Sequence, residues 1–225
     1  MADDSPETVT AALGPYLSEE RRARIEEVIA CRLAGLTVVF ENLHDPHNGA
    51  AAIRSVEAMG MCSLHAVEVA EPFRFSPKVT QGCEKWVDIA RYRDFRSCAQ
   101  RLHDGGFVLG AAIPGATLPL HDIDVRQRVA LVFGNEHSGL TDLAASSCDF
   151  AFGIPMLGFT RSFNLSVSVA LAVHECAQRR RLVLGLSGDL TAAEQSELRA
   201  RFYALSMDER AAQGIVIRHQ KKAKL

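Results

Sequence analysis

Between residues 36 and 182 short apolar runs rich in β-branched residues alternate with stretches of helical period. That alternation narrows the possible folds more than any other property of the chain. Residues 36–40 (LTVVF), 64–69, 86–90, 107–112, 128–133 (RVALVF) and 150–154 read as strands, and 50–59, 94–103, 140–146 and 162–182 as helices. Strands that are apolar without alternation are buried on both faces, which predicts an α/β fold with a mostly parallel sheet flanked by helices. Residues 1–35 read as an N-terminal helical extension, with Ser18 at a helix start. Residues 183–225 read as a C-terminal helix, in which Thr191 and Glu194 form a capping box, followed by a basic tail. The expected division is therefore 1–35, 36–182 and 183–225.

A chain of 225 residues with 48% hydrophobic and 23% charged residues has the composition of a globular protein that folds without staples. Its longest apolar stretch, 167–173, is interrupted by Ser168 and is far too short to cross a bilayer. The acidic start carries no secretory pattern. Six cysteines without CxxC spacing read as reduced thiols, and the cytoplasm is the expected compartment. A net charge of −2 leaves a nucleic-acid partner open, because what matters is where the charge sits. Basic residues cluster at Arg21, Arg22 and Arg24, across 91–101, and in a tail containing Lys221 and Lys222.

In parallel sheets ligands bind beyond the carboxyl ends of strands, and three post-strand segments stand out there. The first, 41–49 (ENLHDPHNG), leads to Arg54. Asn48 is placed to cap the following helix, with Arg54 about two turns in, so that both can face one cavity; a turn with a surface arginine is the plainer alternative. The second is Gly134-Asn135-Glu136-His137, a glycine closing a strand and a carboxylate at the crevice mouth. It carries neither P-loop nor dinucleotide spacing. The third, 154–167 (IPMLGFTRSFNLSV), combines apolar residues, a glycine, Ser162 and Asn164 at the start of a long helix. It reads either as Ser162 capping that helix or as an adenine-sized slot with a polar rim. His44 and His47 lack further ligands at metal spacing, and a nucleophile elbow is absent.

Taken together, the three segments resemble the SPOUT superfamily of RNA methyltransferases, and within it the TrmH family. Asn48 and Arg54 match the first motif, Gly134-Asn135-Glu136 the second, and residues 154–173 the third. The stretches 22–28 and 36–48 and the helix at 191–205 are similar to the branch that methylates guanosine eighteen of tRNA. The resemblance implies a C-terminal trefoil knot, a homodimer with the active site near its interface, S-adenosyl-L-methionine as cofactor, and no metal. It implies that Arg54 activates the ribose hydroxyl, directly or through an RNA phosphate. Asn48 and Asn164 would position Arg54 and the ribose, Glu136 would hold the loops, and Ser162 would complete the rim. Backbone groups around Ala111, Gly134, Ile154 and Phe163, together with Met156, would hold the cofactor, and Arg21, Arg22, Arg24, Lys221 and Lys222 the RNA. A ribosomal-RNA methyltransferase is the nearest rival reading, and a non-catalytic RNA-binding protein the rival from another class.

Overall fold

The computed structural model describes residues 5–70 and 72–223. In chain order its elements are α1 (Pro6–Leu13), α2 (Glu19–Ala30), β1 (Leu36–Glu41), α3 (Pro46–Ala58), β2 (Ser63–Val67) and α4 (Pro77–Thr80). There follow β3 (Asp88–Tyr92), α5 (Phe95–Asp104), β4 (Phe107–Ala112), β5 (Leu118–Pro119) and β6 (Arg128–Phe133). The chain ends with α6 (Asp142–Ser146), β7 (Phe150–Gly153), α7 (Leu165–Leu184), α8 (Ala192–Leu205) and α9 (Glu209–Ala223). These fall into two compact units, 33–186 and the pair of terminal segments 1–32 with 187–225.

The larger unit is a seven-stranded sheet in the order β3-β2-β1-β6-β4-β7-β5, every neighbouring pair parallel. β1 is buried at all six positions, and its alternate side chains enter two different cores. Leu36, Val38 and Phe40 join Ile53 and Val56 of α3 and Val173 and Cys176 of α7. Val39 joins Phe95 and Leu102 of α5 and Ala130 and Val132 of β6. Burying such a side chain stabilises the fold by roughly 1.5–3 kcal/mol, so the two-faced core explains why the strands read as continuous apolar runs.

Several boundaries differ from the sequence reading. The helix expected from residue 50 begins at Pro46, capped by Asp45, whose carboxylate accepts from the His47 N–H at 2.8 Å. Proline is well suited to the first helical position, where its missing N–H has no partner to lose. Asn48 therefore lies inside the first turn and caps nothing. The helix expected from Ser162 begins at Leu165, because Asn164 takes the cap by accepting from the Ser166 N–H at 2.9 Å. Residues 83–86 form a single tight turn, which leaves the third strand to begin at Asp88. The stretch read as a basic tail is the helix α9, with Ala212, Ile215 and Val216 buried.

In the smaller unit α1 packs on α8 and α9, and α2 packs on α8. Leu13, Ile25, Ile29, Phe202 and Val216 are buried. Arg199 of α8 donates from Nε and Nη2, one edge of its guanidinium, to the two oxygens of the Glu26 carboxylate at 2.6 Å. The two ends of the sequence thus build one helical body.

Candidate active site

A cavity of about 850 Å³ opens beyond the carboxyl ends of β4, β6 and β7. Its apolar wall contains Ala112, Ile113, Phe133, Phe152, Ile154, Met156 and Leu165, and its rim contains His44, Asn48, Asn135, Glu136, His137, Ser162 and Asn164. Sequence alternation explains which residues reach it. Ala111 is buried between Val132 and Ala151 in the sheet, and its neighbour Ala112 lines the space instead.

The loops after β1 and β6 are bonded to each other. Glu136 accepts from the backbone N–H of His44 and of Asp45, both at 3.1 Å, and from the Asn48 carboxamide at 3.0 Å. Partial burial by itself would raise the Glu136 pKa; the Asn48 bond and the two amides outweigh it and hold the carboxyl below the usual glutamate range. Asn135 donates to the Asn42 carbonyl at 2.6 Å and accepts from the His137 N–H at 2.9 Å. Asn42 adopts a left-handed φ of 53°, and its carboxamide oxygen accepts from Val69 and Ala70. A Cβ on Gly134 would lie 2.1 Å from the carbonyl carbon of Gly139 and 2.2 Å from the Leu140 nitrogen. Only glycine permits the 134–140 loop to fold back this closely.

Of the residues expected in the site, Asn48, Gly134, Glu136, Ile154, Met156, Ser162, Phe163 and Asn164 all line this cavity. Arg54 does not. Six residues beyond Asn48 it points roughly 120° away around the helix, is exposed, and donates to the Val79 carbonyl at 3.2 Å. The expectation that the two face one cavity of their own chain is therefore corrected by helix geometry. The basic residues expected to bind RNA lie in the helical unit. Arg21, Lys221 and Lys222 are exposed, Arg22 donates to the Gly14 carbonyl at 3.4 Å, and Arg24 pairs with Glu27 at 3.0 Å.

Sequence reasoning gave no role to Asn42, to Asn135 or to Glu41, a buried carboxylate on β1 that accepts from the Thr141 N–H and hydroxyl at 2.8 and 2.7 Å. The signals were the polar Glu41-Asn42 pair ending an apolar run and the place of Asn135 inside the Gly134-Asn135-Glu136 segment. Among the described residues no group of three or more His, Cys, Asp or Glu could hold a metal. No helix among them is long and apolar enough to cross a membrane.

A parallel α/β sheet with a half-apolar cavity at its strand ends defines a small-molecule site of the switch-point kind. The SpoU rRNA Methylase family model matches residues 35–174, and the chain belongs to that family. It is 30% identical over 204 residues to a tRNA (guanosine(18)-2'-O)-methyltransferase of Borreliella burgdorferi, covering 90% of this chain and 93% of that protein. Its fold matches the crystal structure of the A. aeolicus TrmH/SpoU tRNA modifying enzyme at a TM-score of 0.75 and 26% identity, covering 84% of this chain and 98% of that one. It also matches the SpoU methyltransferase AviRb from Streptomyces viridochromogenes in complex with AdoMet. There the TM-score is 0.57 and the identity 26%, over 68% of this chain and 64% of that one.

Proposed function

We propose that this chain transfers a methyl group from S-adenosylmethionine to the ribose 2′-hydroxyl of guanosine eighteen in the tRNA D-loop. The observation that carries the reading is the convergence of Asn48, Glu136, Ser162 and Asn164 on one strand-end cavity, inside the family-matched segment. The length-spanning similarity to a protein named for that reaction supports the substrate. The cavity suits the cofactor: its apolar wall matches an adenine ring, and the Glu136 carboxylate, kept ionised, places negative charge near a sulfonium. The bound cofactor supplies an already electrophilic methyl, so the chemistry as proposed calls for no metal.

The chain's own residues have three tasks. The 42–48 and 134–140 loops, tied through Glu136, hold the cavity open and rigid. Ser162 and Asn164 provide the polar rim where the ribose enters. Arg54, whose guanidinium gives up a proton only at high cost, grips an RNA phosphate bidentately and so fixes the attacking oxygen, whose proton passes to that phosphate or, at that cost, to an Arg54 that has first released its own proton to solvent. Alignment of this kind supplies much of the acceleration in such transfers.

The enzyme acts as a homodimer in this reading. Leu157 and Phe159 are fully exposed, and Val167, Leu171 and Leu182 lie along one exposed stripe of α7, an apolar surface that a second copy would cover. Knots are essentially absent from protein folds; a trefoil knot in the C-terminal half of the larger unit belongs to the proposal through the resemblance alone. Arg21, Arg22, Arg24, Lys221 and Lys222 contact RNA phosphates, and the site of action is the cytoplasm, where the six cysteines stay as free thiols.

The deciding experiment is labelled-methyl transfer to an unmodified tRNA transcript, paired with a transcript carrying 2′-deoxyribose at guanosine eighteen. Incorporation into the first alone is expected. Ribosomal RNA is the second reading, favoured by the description of the matching family. Incorporation into ribosomal RNA with neither tRNA labelled would establish it instead.

A further inference from the structure

His44 follows β1 and His137 follows β6, yet their ring centroids lie 5.7 Å apart with planes at 61°, edge to face. Both rings line the cavity and both are exposed at its mouth. Two backbone bonds put them there. The His44 N–H donates to Glu136 and the His137 N–H donates to Asn135, so one dipeptide holds both backbones whatever their side chains do. The other polar groups that the 42–48 and 134–140 loops bring to the rim are committed to the scaffold. Glu136 takes three donors, Asn48 gives its amide to Glu136, Asn135 serves Asn42 and two amides, and Asp45 accepts from His47. What this side of the mouth presents outward is a pair of aromatic rings.

The geometry points to the His44–His137 pair as a stacking platform for the base of the nucleotide being methylated. This deepens the proposed 2′-O-methylation and rests on it. A ribose hydroxyl buried in a folded RNA reaches a cavity of this kind only if its nucleotide leaves the stack, and the unstacked base then lacks a face to lie on. An aromatic side chain restores that contact for any base. A lone histidine on a loop would have to be ordered first; edge-to-face packing orders each ring against the other before RNA arrives.

The test uses the full-length protein, its His44→Ala, His137→Ala and His137→Phe variants, and an RNA carrying a fluorescent purine at the target position. Wild type is expected to quench the purine on binding. Each alanine variant should lose most of the quench and raise KM for RNA on the order of tenfold, with kcat and the cofactor Kd both moving far less than KM for RNA. His137→Phe should restore both quench and KM. Alanine variants that keep the wild-type quench and KM would overturn the platform. So would His137→Phe failing as badly as His137→Ala, because the imidazole would then be needed for a proton or a phosphate. Quenching by a wild type that methylates no RNA would instead overturn the methyltransferase reading, and with it the platform's role toward a methylated nucleotide, leaving only an RNA-base contact.

Discussion

Two sides of the same cavity are built in opposite ways. The side made by residues 42–48 and 134–140 is closed by its own hydrogen bonds, with Glu136 and Asn135 joining two segments some 90 residues apart in sequence. The side made by residues 155–163 has no hydrogen bond to the rest of the chain among the described residues, and it exposes Leu157 and Phe159 completely. A buried polar scaffold must satisfy its own donors and acceptors. An exposed apolar loop gains nothing until another surface removes it from water. The first side is finished within one chain, and the second leaves apolar surface in water, which the proposed dimer would cover.

The comparison can be broken most sharply where cavity and transfer separate. Arg54 lies outside the cavity, so Arg54→Ala should lower kcat by on the order of 10²–10³ while leaving cofactor affinity within about twofold, measured by methyl transfer and calorimetry. Wild-type turnover by that variant would remove Arg54 from the mechanism. On the closed side, Gly134→Ala drives a methyl into the Gly139 backbone and should cost about 3 kcal/mol. That corresponds to a fall in Tm of roughly 6–12 °C. Glu136→Gln keeps the shape but weakens the acceptor for two amides, and should cost about 1–3 kcal/mol. Its pH signature has a definite sign. The Glu136 pKa is depressed in the folded state, so its stabilisation is fully present above the ordinary glutamate range and is lost as pH falls through the lower, folded value. Melting curves from neutral to acid pH should therefore fall less steeply for the glutamine variant than for wild type.

On the open side, Leu157→Ser with Phe159→Ser should leave the melting temperature of the monomer within about 1 °C, because both side chains are already in water. The same pair should shift sedimentation toward the monomer. A simultaneous loss of fold would mean that the loop packs on its own chain after all. The smallest effect is expected in the helical unit: replacing Lys221 and Lys222 by Ala should weaken RNA binding and reduce its salt slope by about one for each phosphate no longer neutralised. An unchanged slope would mean that α9 does not touch the RNA backbone.

Local chemistry determined much of this molecule. Apolar runs of β-branched residues specify strands buried on both faces, and the helices between them require a parallel sheet, whatever the residues at its edges. Thr191 and Glu194 form their capping box as a purely local event. Gly134, Glu136, Ser162 and Asn164 were legible as a site because they follow strands, and strand ends are where such sheets bind ligands.

Tertiary structure decided what local pattern leaves open. The helix start moved to Pro46 once Asp45 took the cap, and that one change turned Asn48 inward and Arg54 away. The assignment of Ala112 rather than Ala111 to the cavity follows from a one-residue alternation that the sequence of small residues does not mark. The basic tail became the helix α9 because α1, from the other end of the chain, gives its apolar face a surface to pack on. His44 and His137 meet only because Glu136 and Asn135 draw two distant loops together. The sequence sets which residues can be strands, helices and caps, since those choices depend on neighbours a few positions away. Which side chains share a cavity depends on pairings across the whole chain, and those exist only once the sheet has formed.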